Sequence, residues 1–273
     1  MPVSFHKMTG SGNDFVVLDG RETSLDSWPP ARIREICDRR SGVGADGLVL
    51  LSPGPDGAVR MIYFNADGSR AELCGNAALC STRLAATLGM AKEGVLRLHT
   101  DSGVVESRCV GPGWAAEIRL PEVEAPEPVD GVPLALGERR MARITVGVPH
   151  LVVLVDDPGA VNVADRGAVL RHHAAFKPDG VNVNFVGRVP AAQDAAWTMR
   201  TYERGVEGET LACGTGTVAV AATVAGWGLD RLPVRIVSRG GSVFSVAGVA
   251  EGGRVTEPWL CGEGRLVFSG HMP

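Results

Sequence analysis

The strongest constraint on the fold of this chain is an internal repeat. Asp46-Gly47-Leu48 returns as Asp179-Gly180-Val181, and Cys74-Gly75 returns as Cys213-Gly214 after almost the same number of residues. Two further echoes, residues 8–18 with 144–154 and residues 96–103 with 234–241, keep the same order. Self-similarity of this kind indicates duplicated structural units. The sequence therefore predicts two homologous domains built mostly of strands, each with one helix that begins at a Cys-Gly pair.

The boundaries of these domains are predicted from composition. Residues 121–133 contain four prolines among acidic residues, which is typical of a linker. We expect an N-terminal domain over residues 1–121, a linker over 122–133 and a C-terminal domain over 134–264. A short last strand within residues 265–273 is expected to return to the first domain. The chain has 273 residues, a length that suits two domains.

Composition excludes several classes of function. The net charge is −4 without a basic block, which argues against a nucleic-acid partner. Apolar runs stay short of the ~18 residues of a membrane span, and the first residues lack the apolar core of a signal peptide. We therefore expect a cytoplasmic protein with reduced thiols. The six cysteines fit no zinc pattern, and no lysine lies in a motif typical of a pyridoxal Schiff base, so no metal or cofactor is expected.

The two Cys-Gly helix starts carry the chemistry. The field of a helix N-terminus favours a thiolate, and its unused N–H groups can bind a carboxylate. A single such segment also fits an inert buried cysteine. Two equivalent thiols, brought by pseudo-symmetry to a cleft between the domains, fit inversion at a carbon by two bases. One thiolate removes a proton and the opposite thiol delivers one, which suits an α-amino acid as a small-molecule substrate.

The motifs that contain these cysteines resemble those of the diaminopimelate epimerase family. Eight ordered stretches carry the resemblance, and they lie at residues 10–15, 42–47, 64–69, 74–76, 149–150, 182–185, 202–205 and 209–216. The resemblance implies an α+β fold in which each domain wraps a mostly antiparallel sheet or barrel around a central helix. It also implies cofactor-independent interconversion of the L,L and meso forms of diaminopimelate, in lysine biosynthesis, and a homodimer.

The resemblance also assigns roles to residues of this sequence. Cys74 and Cys213 are the implied acid/base pair, and His150 and Glu203 flank the thiols and tune them, with an imidazolium beside a thiolate as the physical reason. Backbone N–H groups are implied to bind the reacting carboxylate at Gly75, Asn76, Gly214 and Thr215. Asn13 is implied to hold the reacting end of the substrate, and the distal end is assigned to Asn65, Asn182 and Arg204, beside Glu203.

One departure from the family pattern and three alternative functions stay open. Val148 stands where the family usually has an asparagine that helps to bind the distal end, so a racemase or epimerase for another amino acid is an alternative. A thiol redox or cysteine hydrolase enzyme is a second alternative, although the chain lacks a Cys-x-x-Cys motif. A non-catalytic amino-acid binder is a third. Asp14, Asp46 and Asp67 lie in Gly-rich stretches, which predicts that they cap turns.

Overall fold

The structure is a computed structural model that describes residues 2–91, 94–189 and 196–272. Met1 and Pro273, at the outer ends of the predicted first domain and return strand, lie outside them. The chain divides into two compact units: unit 1 is Met1–Arg119 with Cys261–Pro273, and unit 2 is Leu120–Leu260. Within the described ranges, no helix has the length and apolarity needed to cross a membrane.

Unit 1 is mostly sheet, with two helices. Its strands, numbered in chain order, are β1 Val3–Gly10, β2 Asn13–Asp19, β3 Gly47–Pro53, β4 Val59–Asn65, β5 Arg70–Ala71, β6 Leu96–Thr100, β7 Gly103–Cys109, β8 Ala115–Arg119 and β18 Arg265–Met272. Its helices are α1 Pro30–Cys37 and α2 Gly75–Thr87. Strand β18 pairs antiparallel with β1 along nearly its whole length.

Helix α2 is the centre of unit 1. It packs against β1, β2, β3, β4, β6, β7, β8 and β18. Its sequence is rich in alanine, which favours helix and lets surrounding strands approach closely. Nine of its thirteen residues are buried, and Leu79 and Leu84 supply its largest apolar side chains. A second core lies on the other face of β2 and β3, where Ile33 and Ile36 of α1 pack with Trp28.

Unit 2 has the same composition of elements. Its strands are β9 Glu127–Pro128, β10 Glu138–Val146, β11 Val148–Val155, β12 Asn182–Arg188, β13 Trp197–Glu203, β14 Gly208–Thr210, β15 Val234–Val237, β16 Val243–Glu251 and β17 Arg254–Glu263, whose last three residues belong to unit 1. Its helices are α3 Val163–Arg171 and α4 Gly214–Gly226. Helix α4 packs against β10, β11, β12, β15 and β16.

The strand pairing of unit 1 repeats in unit 2. In unit 1, β1–β2 is antiparallel, β2–β3 parallel, β3–β4 and β4–β5 antiparallel, β4–β6 parallel and β6–β7 antiparallel. In unit 2, the series β10, β11, β12, β13, β14, β15 and β16 follows the same sequence of directions. The predicted α+β class, with a mostly antiparallel sheet around a central helix, is confirmed.

The proline-rich segment after β8 belongs to unit 2. Val123 forms an isolated bridge with Val255, and Glu127–Pro128 pair with Ala142 and Arg143 of β10. Proline cannot donate a hydrogen bond to a neighbouring strand. It is tolerated at such an edge position because an edge strand has a neighbour on one side only. These contacts hold the segment along the edge of the sheet of unit 2.

Candidate active site

Cys74 is the residue that starts helix α2. Its backbone is extended, with φ −131° and ψ 120°, and its carbonyl accepts the first helical hydrogen bond from Ala78 at 2.9 Å. The N–H groups of Gly75, Asn76 and Ala77 precede this bond and have no helical acceptor. The Cys74 side chain does not cap them. The start of α2 therefore presents donors beside a thiol, which is the arrangement that binds an anion.

Asn76 and Asn13 form a pair at this helix start. Asn76 Nδ2 donates to Asn13 Oδ1 at 2.7 Å, and Asn13 Nδ2 donates to Asp46 Oδ2 at 2.9 Å. Gly10 makes this approach possible, because a Cβ there would lie 2.5 Å from the carbonyl oxygen of Asn76. The structure thus brings Asn13 and Asn76 together next to Cys74. Each amide has a fixed orientation.

A charged cluster stands behind Asn13. Asp14 accepts hydrogen bonds from Lys7 Nζ at 2.6 Å and from Arg39 Nη2 at 2.6 Å, and Arg39 also bonds Asp46 Oδ1 at 2.8 Å. Burial alone would raise the pKa of Asp14, but the hydrogen bonds from Arg39 and Lys7 outweigh it and lower the pKa to about 2. The prediction that Asp14 caps a turn is wrong, because its side chain bonds two cations and the backbone N–H of Asp46, all distant in the sequence.

Asn65 ends strand β4 near this group. It pairs with Gly47 across the β3–β4 ladder, and the next amide, that of Ala66, donates to the carbonyl of Asp46 at 3.1 Å. Its side-chain amide donates to Ser69 Oγ at 3.0 Å. Asn65 therefore lies beside the segment that orients Asn13, at the same end of the sheet.

Cys213 starts helix α4 in the same way. Its backbone is extended, with φ −137° and ψ 109°, and its carbonyl accepts from Thr217 N at 2.9 Å and Thr217 Oγ1 at 2.8 Å. The N–H groups of Gly214, Thr215 and Gly216 precede the helical bonds. Thr215 Oγ1 lies 3.6 Å from Cys213 Sγ. Unit 2 therefore also offers a thiol beside backbone donors.

His150 is fully buried on β11, opposite Asn182 of β12. Burial, aided by the positive charge of Arg204, lowers its pKa to about 3. The imidazole is therefore neutral at physiological pH, and the predicted imidazolium beside a thiolate is wrong. Its Nε2 atom is buried and has no hydrogen-bond partner in the described part of the chain.

Asn182 and Arg204 are adjacent in unit 2. Asn182 Oδ1 accepts from the backbone N–H of Arg204 at 2.8 Å, and its Nδ2 donates to the carbonyl of Pro149 at 3.4 Å. Arg204 Nη1 donates to the carbonyl of Asp179 at 3.5 Å. These bonds hold an amide and a guanidinium together, at the start of β12 and just after the end of β13, and such a pair suits an amino-acid group.

Glu203 precedes Arg204 at the end of β13 and pairs with Gly208 of β14. Burial raises the pKa of Glu203, and the neighbouring Thr210 side chain opposes that rise. A carboxyl group with a raised pKa exchanges protons more readily near neutral pH than an ordinary glutamate does.

Asn184 is a polar residue of this region that sequence reasoning missed. It is fully buried in β12, one side chain beyond Asn182 on the same face. Its Nδ2 lies 3.2 Å from His150 Nδ1, and a Cβ at Gly216 would lie only 2.4 Å from its Oδ1. The available signal was an asparagine between the apolar residues Val183 and Phe185 of β12.

The described residues contain no cluster of side chains that could hold a metal ion. Among the residues described, no three His, Cys, Asp or Glu side chains are placed as a metal site would need. Helix α2 also carries Cys80, whose pKa burial raises well above the ordinary thiol value, so this thiol stays protonated.

Comparison with known proteins decides the family. The family profile described as diaminopimelate epimerase matches residues 5–118 and 143–255. The chain belongs to the diaminopimelate epimerase family. Two curated relatives with that name cover nearly all of both chains: one from Gemmatimonas aurantiaca, at 45% identity over 99% of each chain, and one from Aquifex aeolicus, at 38% identity over 99% of this chain and 98% of the relative.

Solved structures share the fold at low sequence identity. A phenazine biosynthesis protein of the PhzF family from Bacillus anthracis superimposes with a TM-score of 0.73 at 12% identity, covering 100% of this chain and 99% of the other. Membership of the diaminopimelate epimerase family is thus accompanied by a fold that is shared more widely. Identity this low supports the fold alone.

Proposed function

We propose that this protein is a cofactor-independent epimerase that interconverts L,L- and meso-diaminopimelate at one α-carbon. Relatives of that name support the proposal, since they match this chain over nearly its whole length at 38–45% identity. The observation that carries the chemistry is the pair of helix starts at Cys74 and Cys213, each with a thiol at the N-cap residue followed by N–H groups that precede the first helical hydrogen bond.

The proposed reaction is a two-base proton transfer. The thiolate of one cysteine takes the α-proton and becomes a thiol, and the electron pair left on carbon spreads into the carboxylate. The thiol of the other cysteine then gives its proton to the opposite face and becomes a thiolate. The product has the inverted centre, and the two cysteines have exchanged protonation states. The reverse reaction therefore uses the same two groups with their roles exchanged.

The helix starts are proposed to stabilise the charge that develops. Backbone N–H groups of Gly75, Asn76, Gly214 and Thr215 would bind the reacting carboxylate, and the helix dipoles favour its negative charge. Asn13, fixed by Asn76 and Asp46, would orient the reacting end. Donors that are already in place cost no reorganisation at the moment of proton transfer.

The distal amino-acid group is assigned to Asn65, Asn182 and Arg204. The Arg204 guanidinium is a planar donor that can bond both oxygens of a carboxylate. Asn182 is held against its backbone at 2.8 Å, which fixes the relation between the two. We further propose that His150 and Glu203 act on the thiols, His150 as a neutral hydrogen-bond donor.

The test is isotope exchange. Purified, reduced protein incubated with L,L-diaminopimelate in deuterated water should introduce deuterium at the α-carbon and form the meso isomer. Absence of both under reducing conditions would refute the activity. The same assay with a panel of other amino acids tests the alternative raised by Val148, which stands at the start of β11. Faster exchange on another amino acid would redirect the substrate assignment and leave the two-base reaction intact.

A homodimer and a cytoplasmic location are further proposals, supported by the family resemblance. Sedimentation velocity at micromolar concentration should give a species of twice the 28.6 kDa chain mass. A single-chain mass across the concentration range would contradict the homodimer. Cell fractionation tests the location.

A further inference from the structure

Asn184 holds three buried partners at once. Its Nδ2 donates to the carbonyl of Leu151 at 3.3 Å and lies 3.2 Å from His150 Nδ1, while its Oδ1 accepts from Thr201 Oγ1 at 3.0 Å. Asn184 and His150 are fully buried, and Thr201 is nearly so. No water from outside the protein is needed to satisfy this amide.

The partners decide which way the amide faces. The carbonyl of Leu151 can only accept a hydrogen bond, so the nitrogen of the Asn184 amide must face it. Turning the amide over would set Oδ1 against that carbonyl oxygen and leave the Thr201 hydroxyl facing an N–H group. Nδ2 is therefore the atom that faces His150, and its second N–H points at Nδ1.

The amide in turn decides the tautomer of the imidazole. A nitrogen that accepts from Asn184 Nδ2 must carry a lone pair, so Nδ1 of His150 is unprotonated. The neutral ring then carries its one proton on Nε2. That N–H group is buried and has no acceptor among the described residues. A buried donor without an acceptor is costly, which indicates a place for a group that arrives during the reaction.

The fold does not require polar side chains at the positions of His150 and Asn184. One face of the parallel pair β2–β3 packs against α1 in unit 1, and one face of the parallel pair β11–β12 packs against α3 in unit 2. The first apolar pairs on that face are Val16 with Leu48 in unit 1 and Leu151 with Val183 in unit 2. This strand register differs by one or two residues from the echoes in the sequence, and it sets Phe15 and Val49 of unit 1 at the places of His150 and Asn184. Phe15 and Val49 are fully buried, so the same strand positions pack well with apolar side chains.

We propose that Asn184 is a positioning residue that holds His150 in the tautomer protonated at Nε2, so that the ring presents one fixed N–H donor to an anion formed or bound in the reaction. The role given to the N–H donor rests on the proposed function, whereas the tautomer follows from the hydrogen-bond geometry. His150 then acts as a donor and not as a base, because its only lone pair is used by Asn184. Gly216 allows the arrangement, since any Cβ there would strike Asn184 Oδ1.

The first test reads the tautomer directly and does not depend on activity. Long-range ¹H–¹⁵N correlation spectra of the wild-type protein at neutral pH should show a pyrrole-type Nε2 and a pyridine-type Nδ1 for His150, with assignment by the His150→Gln variant. An Nδ1-protonated ring or an imidazolium would overturn the proposal even if the protein epimerises diaminopimelate. The expected tautomer with no epimerisation would leave the positioning intact and refute the proposed function.

The second test changes the partner of the ring. Asn184→Asp is nearly isosteric, but its carboxylate only accepts, so it should draw a proton to Nδ1 and raise the pKa of His150. We expect the His150 signals to change to the Nδ1-protonated or doubly protonated form and kcat to fall at least about tenfold, since a wrong catalytic tautomer can cost up to ~10⁴. A new ionisation should appear in the pH dependence of kcat, with KM changed less than kcat. Among the described residues of the wild-type protein, Arg204 is the charged group that lowers the pKa of this ring in addition to burial.

Matched variants separate positioning from packing. Thr223→Val removes a buried hydroxyl of α4 that has no partner in the described chain, and it should leave the His150 spectrum and kcat unchanged. Asn184→Ala should leave the ring in a mixture of tautomers, with a smaller pH effect than Asn184→Asp. Equal losses in both Asn184 variants with an unaltered His150 spectrum would show that Asn184 acts only through packing and would overturn the proposal.

Discussion

The close approach of helix α4 to strand β12 makes a sharp prediction about Gly216. A Cβ added there would lie 2.4 Å from Asn184 Oδ1 and 3.2 Å from Cys213 Sγ. Glycine to alanine in a helix ordinarily stabilises by about 1 kcal/mol. Here the extra methyl group overpacks a buried site, at a cost of about 1–3 kcal/mol, and displaces an amide whose hydrogen bonds contribute about 1 kcal/mol each. The net expectation for Gly216→Ala is a loss of about 2 kcal/mol in the free energy of unfolding.

Thermal unfolding followed by circular dichroism measures this loss. For a domain of this size, about 2 kcal/mol corresponds to a fall in Tm of roughly 4–8 °C. Gly75→Ala is the matched control, because a Cβ at the start of α2 meets only Ile118 Cδ1 at 3.4 Å, an ordinary contact. Its Tm should stay unchanged or rise, because alanine favours the helix and no clash opposes it there. A Gly216→Ala protein that melts at or above the wild-type temperature would refute the steric argument, and with it the tight placement of Asn184.

Three further predictions follow from the site. Cys74→Ala and Cys213→Ala should each lower epimerisation by about 10²–10⁴ in the deuterium assay, since each removes one acid/base group, whereas Cys109→Ser should keep wild-type activity. The pKa of Asp14 is lowered from 3.8 to about 2 on folding. Its carboxylate therefore stabilises the protein above about pH 4, and this contribution is lost as the pH falls towards 2. The Asp14→Asn variant should show a weaker dependence of the free energy of unfolding on pH between about 4 and 2, measured by urea titration. Arg204→Lys should raise KM for diaminopimelate about tenfold or more through loss of the bidentate fork, with kcat less affected, and an unchanged KM would remove Arg204 from the distal site.

Local patterns predicted the elements that carry the chemistry. The Cys-Gly pairs followed by small apolar residues mark helix starts, and α2 and α4 begin at the residue after each cysteine. The dipeptide Asp56-Gly57, which is typical of a hairpin turn, lies between β3 and β4, and these strands pair antiparallel. Asp67 caps its turn as predicted, since its Oδ1 accepts from Ser69 N at 2.8 Å. Each of these features depends on residues close together in the chain.

Features that depend on tertiary partners escaped the sequence. Asp14 resembles a turn residue locally, yet its partners Lys7 and Arg39 come from another strand and from the turn that follows α1. The charge state of His150 follows from its complete burial, which no local pattern reveals. Asn184 lies in a strand of apolar residues, and its role is visible only once Thr201 and His150 are placed around it.

The repeated strand pair has a consequence for how such a protein can evolve. An assembly of two identical subunits must accept every substitution twice, once in each copy. Here both copies lie in one polypeptide, so Phe15 and Val49 could stay apolar in one unit while His150 and Asn184 became polar in the other. Duplication within a single chain thus frees the two halves to surround their cysteines differently. The two cysteines can therefore have different neighbouring side chains although both units derive from one ancestral fold.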